Sequence, residues 1–174
     1  MKTLIVFGSS LLCFGLLATS AHAYHGIHQE KYAAADALFW EYDPEGAPAV
    51  YDLGLRLRAG ALFNDFLGLE GHLAVGGADD EGRTKGDLDY LAGAYGKVML
   101  PIDRSLHLYA LLGVSMLDGN FSPGDDNAVD LSGGFGAELG IAPNLAINAD
   151  YMRYTDTSDA VFDAISVGVV YHFR

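Results

Sequence analysis

Six charged residues interrupt otherwise apolar stretches, and any chemistry in this chain would start from them: Arg56, Arg58, Glu70, Lys97, Glu138 and Asp150. Successive side chains of an extended strand point to opposite faces, so residues two apart share a face. Arg56 and Arg58 therefore share a face with Gly54 and Gly60, opposite Leu53, Leu55, Leu57 and Ala59. In the same way Glu70 and His72 oppose Leu67, Leu69, Leu73 and Val75, while Asp89, Tyr95 and Lys97 oppose Tyr90, Ala92, Ala94 and Val98. Ser132 and Glu138 oppose Leu131, Phe135 and Leu139, and Asn148 and Asp150 oppose Leu145, Ile147 and Tyr151. Charges of both signs on one face suit an ion-pair network, an ion path or acid–base catalysis. Charges withdrawn from water must be paired or hydrated, so the network is the expected use.

Catalysis has little support in the pattern. A nucleophile needs a nearby base and a group that orients it, and no Ser stands beside a His at a spacing that shares one external face. His72 falls mid-strand and His107 and His172 near strand ends, as satisfied interior or rim histidines would. No catalytic residue, cofactor or metal ligand is assigned. The stretch Asp118-Gly119-Asn120-Phe121-Ser122-Pro123-Gly124 opens like a calcium loop. Pro123, however, replaces the required Gly, and Val129 stands where the bidentate Glu belongs. His25 and His28 could bind a transition metal only loosely. A formal charge of −13 argues against nucleic acid and against a polybasic membrane-surface mode.

The elements that must position these residues are strands. Alternation and turn signals predict eight, over residues 32–42, 51–63, 67–77, 88–100, 106–117, 131–141, 145–155 and 164–174. Most approximate the roughly 9–11 residues a tilted membrane strand needs. In the first strand Asp36 and Trp40 point inward if Ala37 and Phe39 face outward. The last strand sets Ile165, Val167, Val169, Tyr171 and Phe173 on one face, against Ala164, Ser166, Gly168, Val170, His172 and Arg174. An apolar face ending in aromatics, backed by small and polar residues, is what a lipid-facing barrel strand requires. Connections alternate: Asn64-Asp65, residues 101–105 and Pro143-Asn144 are short, whereas 43–50, 78–87, 118–130 and 156–163 are longer and acidic.

The start of the chain agrees. Lys2, an apolar run over residues 4–18 and Ala21-His22-Ala23 make a secretory signal peptide over residues 1–23. Cleavage after Ala23 removes Lys2, so the charge becomes −13 − 1 = −14, and it removes Cys13, the one cysteine. A short periplasmic lead is expected over residues 24–31 and one barrel domain over 32–174. No later segment is long enough for a spanning helix, so membrane residence requires a closed barrel.

This organisation resembles the small OmpA-type, porin-like outer-membrane β-barrel family of the Gram-negative cell envelope. The likeness is clearest in Tyr95-Gly96-Lys97-Val98-Met99-Leu100-Pro101, in Leu108-Tyr109-Ala110-Leu111-Leu112-Gly113-Val114, in Asp150-Tyr151-Met152-Arg153-Tyr154-Thr155, and in Ser166-Val167-Gly168-Val169-Val170-Tyr171-His172-Phe173. It implies an all-β, eight-stranded antiparallel up-and-down transmembrane barrel with both termini periplasmic. An eight-stranded interior is just wide enough for side chains to fill. The six charges are then expected to meet as a structural network, and Tyr90, Tyr151, Tyr171 and Phe173 to lie in lipid-interface belts. Implied partners are outer-membrane lipid, lipopolysaccharide, the barrel-assembly machinery and an unidentified external ligand at the loops, for a monomeric protein with a structural or surface-interaction role. A small or gated porin and a lipid A-modifying enzyme are the alternatives.

Overall fold

The computed structural model describes residues 30–44, 49–76, 88–119, 129–156 and 160–173. The signal peptide, most of the expected lead, the 78–87 connection, most of the 118–130 connection and parts of the 43–50 and 156–163 connections lie outside the described residues. The described chain forms eight strands: β1 Glu30–Pro44, β2 Val50–Leu62, β3 Leu67–Gly76, β4 Leu88–Pro101, β5 Leu106–Gly119, β6 Val129–Ala142, β7 Leu145–Asp156 and β8 Ala160–Phe173. β1 begins two residues before Tyr32, so Glu30 and Lys31, expected in the lead, open the first strand.

Each strand pairs antiparallel with its neighbours in sequence, and β8 returns to β1 to close a barrel. The seam is long: its register runs from Lys31 opposite Phe173 to Pro44 opposite Ala160. Closure matters physically because a finished barrel has no unpaired strand edge. Short turns are held by side chains that stand in for backbone. Asn64 Oδ1 accepts from the backbone N–H groups of Phe66 and Leu67, and Asp103 Oδ1 from those of Ser105 and Leu106.

Alternation sorts the residues as the pattern predicts. Leu53, Leu55, Leu57, Leu69, Phe135 and Val167 project outward, exposed, along with the other large apolar residues of their faces. The core is inside the ring and includes Leu38, Leu91, Met152 and Val170, with Trp40 stacked on Phe162 at 5.4 Å between ring centroids. β1 resolves as the conditional reading states, with Asp36 and Trp40 buried and Phe39 exposed.

One expectation fails locally. Asp89 was expected on the inner face of β4 with Tyr95 and Lys97, but it is exposed. The register shifts between Leu88 and Tyr90. An extra residue on one strand breaks the alternation at that point, and here it turns Asp89 out while Leu88 stays in.

Candidate functional site

The inner face of β2 carries Arg56 and Arg58, which alternation places two residues apart on one side of the strand. Both are completely enclosed, and Asp36 of β1 lies between them. Arg58 takes both oxygens of Asp36, Nε to Oδ2 at 2.7 Å and Nη2 to Oδ1 at 3.1 Å. Arg56 Nε shares the same Oδ2 at 2.9 Å. The planar fork of a guanidinium suits such two-point contacts with a carboxylate.

The network then spreads across the barrel. Arg56 Nη2 reaches Asp150 of β7 at 2.6 Å, and its Nη1 donates to the Tyr154 hydroxyl at 2.9 Å. Tyr109 of β5 donates to the same Asp150 oxygen at 2.9 Å. On the other side Arg58 Nη1 donates to Glu70 Oε1 at 3.1 Å, and Lys97 Nζ to Glu70 Oε2 at 2.9 Å. Tyr32 also donates to Glu70, and Lys97 Nζ sits 4.4 Å from the ring centroids of both Tyr32 and Tyr109. His72 bridges Glu70 Oε1 at 2.7 Å and the Tyr154 hydroxyl at 3.3 Å. A neutral imidazole with its proton on Nε2 satisfies both contacts. Three cations therefore meet three carboxylates, all with side chains 0–1% exposed. Charges so enclosed are tolerable because each has an opposite charge and further hydrogen bonds.

Five of the six expected charges, Arg56, Arg58, Glu70, Lys97 and Asp150, come together. Glu138 is the correction. It was expected to pair with Arg or Lys; among the described residues its ion-pair contact is His172 Nε2, at 2.7 Å. It lies near the short-turn end of β6, where its cross-strand partners are His107 and Asn148 rather than a basic strand.

The network also holds residues that spacing did not assign to it: Asp36, Tyr32, His72, Tyr109 and Tyr154. The signal was parity. Asp36 interrupts the run Ala33-Ala34-Ala35-Asp36-Ala37, and Tyr109 and Tyr154 alternate with the apolar faces of their strands. Parity shows that a residue points inward but not what it meets there.

The four aromatics expected in interface belts all point outward, at opposite ends. Tyr90 and Tyr151 lie toward the long connections, with Tyr90 opposite Asp118 on β5 and the Tyr151 ring centroid 5.7 Å from that of Phe135. Tyr171 and Phe173 pack edge-to-face at 5.2 Å toward the short-turn end. Beside Tyr151, Arg153 binds Asp163 at 2.8 Å and Asp156 at 3.0 Å on the outer surface.

At the short-turn end a cavity of about 560 Å³ opens, lined by Glu30, Met99, Arg104, His107, Glu138 and His172 among others. Among the described residues no group of three or more His, Cys, Asp or Glu is placed to hold a metal ion.

Comparison with known proteins agrees with this geometry. No curated protein matches the chain. Among solved structures, the attachment invasion locus protein Ail of Yersinia pestis superposes with a TM-score of 0.65 at 21% identity, covering 83% of this chain and 98% of that one. Neisserial surface protein A gives 0.65 at 20% identity, covering 82% and 97%. The N-terminal barrel domain of OprF from Pseudomonas aeruginosa gives 0.56 at 12%, covering 82% and 97%. At such identities these likenesses carry the fold alone. The family model described as the outer membrane protein beta-barrel domain matches residues 9–173, and this chain, an eight-stranded barrel with an apolar outside and a charged inside, belongs to that outer-membrane family.

Proposed function

We propose that this protein is a monomeric outer-membrane barrel with a structural or surface-interaction role, whose interior is closed by its own side chains. The observation that carries this reading is the ion-pair chain from Asp150 through Arg56, Asp36 and Arg58 to Glu70 and Lys97, which crosses the barrel from β7 to β4. Wide conduction needs many more strands, and here the space inside eight is taken up by guanidinium, phenol and imidazole groups. His72 is engaged by Glu70 and Tyr154, which supports a packing role over a catalytic one.

In this reading residues 1–23 are the cleaved signal peptide, both termini face the periplasm and the short turns lie on that side. The outward aromatics Tyr90, Tyr151, Tyr171 and Phe173 mark the two lipid interfaces, where amphipathic rings prefer to sit. The protein reaches its place through the barrel-assembly machinery, and its outer neighbour is lipopolysaccharide.

The long connections would carry any external recognition, as loops on a rigid scaffold usually do. They contain Glu45, Asp79, Asp80, Glu81, Asp87, Asp125, Asp126 and Asp159 against Arg83 and Lys85. A solved structure of Ail holds the heparin analogue sucrose octasulfate. The acidic loops of this chain fit a cationic or metal-bridged partner better than a polyanion.

Conductance of the refolded protein in planar bilayers tests the closed interior. The expected result is an absence of steady channels, and a reproducible conductance would favour the gated-porin alternative. Orientation is tested by Asn127→Cys and Asp159→Cys, expected to react with an impermeant maleimide on intact cells. Asn64→Cys and Asn144→Cys should react only after the outer membrane is permeabilised. Equal reaction at all four sites on intact cells would overturn the orientation.

A further inference from the structure

His172 is the last inward-facing residue of β8 and stands opposite Tyr32 at the barrel seam. Its backbone N–H donates to the Asn144 carbonyl of the β6–β7 turn at 2.9 Å, which fixes where the ring begins. The ring then lies between two carboxylates. Nε2 is 2.7 Å from Glu138 Oε1 on β6, and Nδ1 is 3.1 Å from Glu30 Oε1 on β1. The first contact is a well-formed hydrogen bond, and the second is a charge contact outside hydrogen-bond geometry.

A neutral imidazole has one N–H and one bare lone pair. If Nε2–H donates to Glu138, the lone pair of Nδ1 faces the Glu30 oxygen, and two electron-rich atoms repel at 3.1 Å. The imidazolium has a donor on each nitrogen and attracts both carboxylates. The geometry thus fits the protonated ring and not the neutral one.

We propose that His172 is a proton-dependent latch on the short-turn mouth of the barrel. In its protonated form it ties the end of β8 to the start of β1 and, across β7, to β6. Loss of the proton leaves Glu30 and Glu138 facing each other across the rim of the 560 Å³ cavity and releases the terminal strand from both.

The surroundings of the ring are consistent with this. β1 contributes Glu30 and the Tyr32 ring, 5.8 Å away between centroids, and β6 contributes Glu138. β5 contributes His107, the cross-strand partner of Glu138. Lys97 of β4 acts electrostatically against the proton, and Arg58 of β2 is engaged by Asp36 and Glu70. β7 offers Leu145 and Ala146, which do not titrate. Two carboxylates in direct contact outweigh a more distant ammonium, because Coulomb attraction falls with separation and Lys97 is already neutralised by Glu70.

The sign of the pH effect follows. A group the folded barrel holds in its charged, protonated form stabilises it fully at mildly acidic pH, and that contribution is lost as pH rises through its titration. The test uses the full refolded chain in lipid vesicles. Nitrogen chemical shifts of labelled histidine should show His172 doubly protonated at about pH 7, where an ordinary imidazole is mostly neutral. The urea midpoint of the native protein should fall between about pH 6 and about pH 9. His172→Gln should abolish that fall, whereas His107→Gln should keep it. A singly protonated His172 at neutral pH overturns the latch, as does an unchanged pH dependence in His172→Gln. The nitrogen measurement needs no substitution, so it decides the matter even if the variant fails to fold.

Discussion

β2 and β6 stand on opposite sides of an eight-stranded ring, and their inner faces could hardly differ more. The middle of β2 projects Arg56 and Arg58, whereas the middle of β6 presents Gly134 and Gly136. A Cβ on Gly136 would lie 2.6 Å from both the Asp150 Cβ and the Tyr109 ring. The room that β6 leaves is thus occupied by side chains that receive the arginines from across the barrel. A cylinder of fixed width is filled by setting long residues against small ones, a match of sizes that governs the interiors of small barrels.

The comparison breaks most severely at the carboxylate both arginines share. Asp36→Ala should destabilise the barrel by about 3–5 kcal/mol, because two guanidinium groups stay enclosed with one fewer partner. Urea unfolding in lipid vesicles measures this, and an unchanged midpoint would mean that water replaces the carboxylate.

Filling the small side should cost less. Gly136→Ala forces contact with Asp150 and Tyr109 and is expected to cost about 1–3 kcal/mol, in the range of overpacked cores. Gly96→Ala is the control, since its added carbon meets only the Leu112 carbonyl at 3.7 Å. Equal midpoints for the two variants would remove the size argument.

A smaller effect is expected at Asn148, buried on β7 with neither side-chain nitrogen nor oxygen hydrogen-bonded within the protein. Asn148→Leu should change stability by less than about 1 kcal/mol in either direction, because an unpaired amide contributes little that a hydrocarbon would forfeit. A large loss would show that ordered water makes Asn148 part of the network.

The smallest effect lies outside the barrel wall. In the β4–β5 turn, two backbone N–H groups donated by Ser105 and Leu106 hold the Asp103 carboxyl below the usual carboxylate range. Its contribution is present above the ordinary carboxylate titration and lost as pH falls through the lowered one. The difference in midpoint between native protein and Asp103→Ala should therefore be slight at neutral pH and vanish in acid. A difference that grew in acid would contradict the turn geometry.

Much of this architecture was legible in the chain itself. Alternation is local: a strand's side chains take sides two by two whatever it pairs with, so inside and outside could be assigned for Arg56, Glu70, Lys97 and Phe135 without a partner in view. The exception, Asp89, shows the limit of that logic, since a register shift depends on the neighbouring strand. Meeting inside the ring is a different kind of fact. Asp36 reaches Arg58 across 22 positions, Arg56 reaches Asp150 across 94, and His172 reaches Glu138 across 34. Which inward residues touch depends on strand register, on closure of β8 against β1 and on the height each side chain occupies in the barrel. The sequence alone determined the strands, their two faces and the charged character of the interior. Only the tertiary structure decided that Asp36 joins the arginines and that Glu138 leaves them for His172, because opposite walls of a barrel are brought together by closure and not by any local rule.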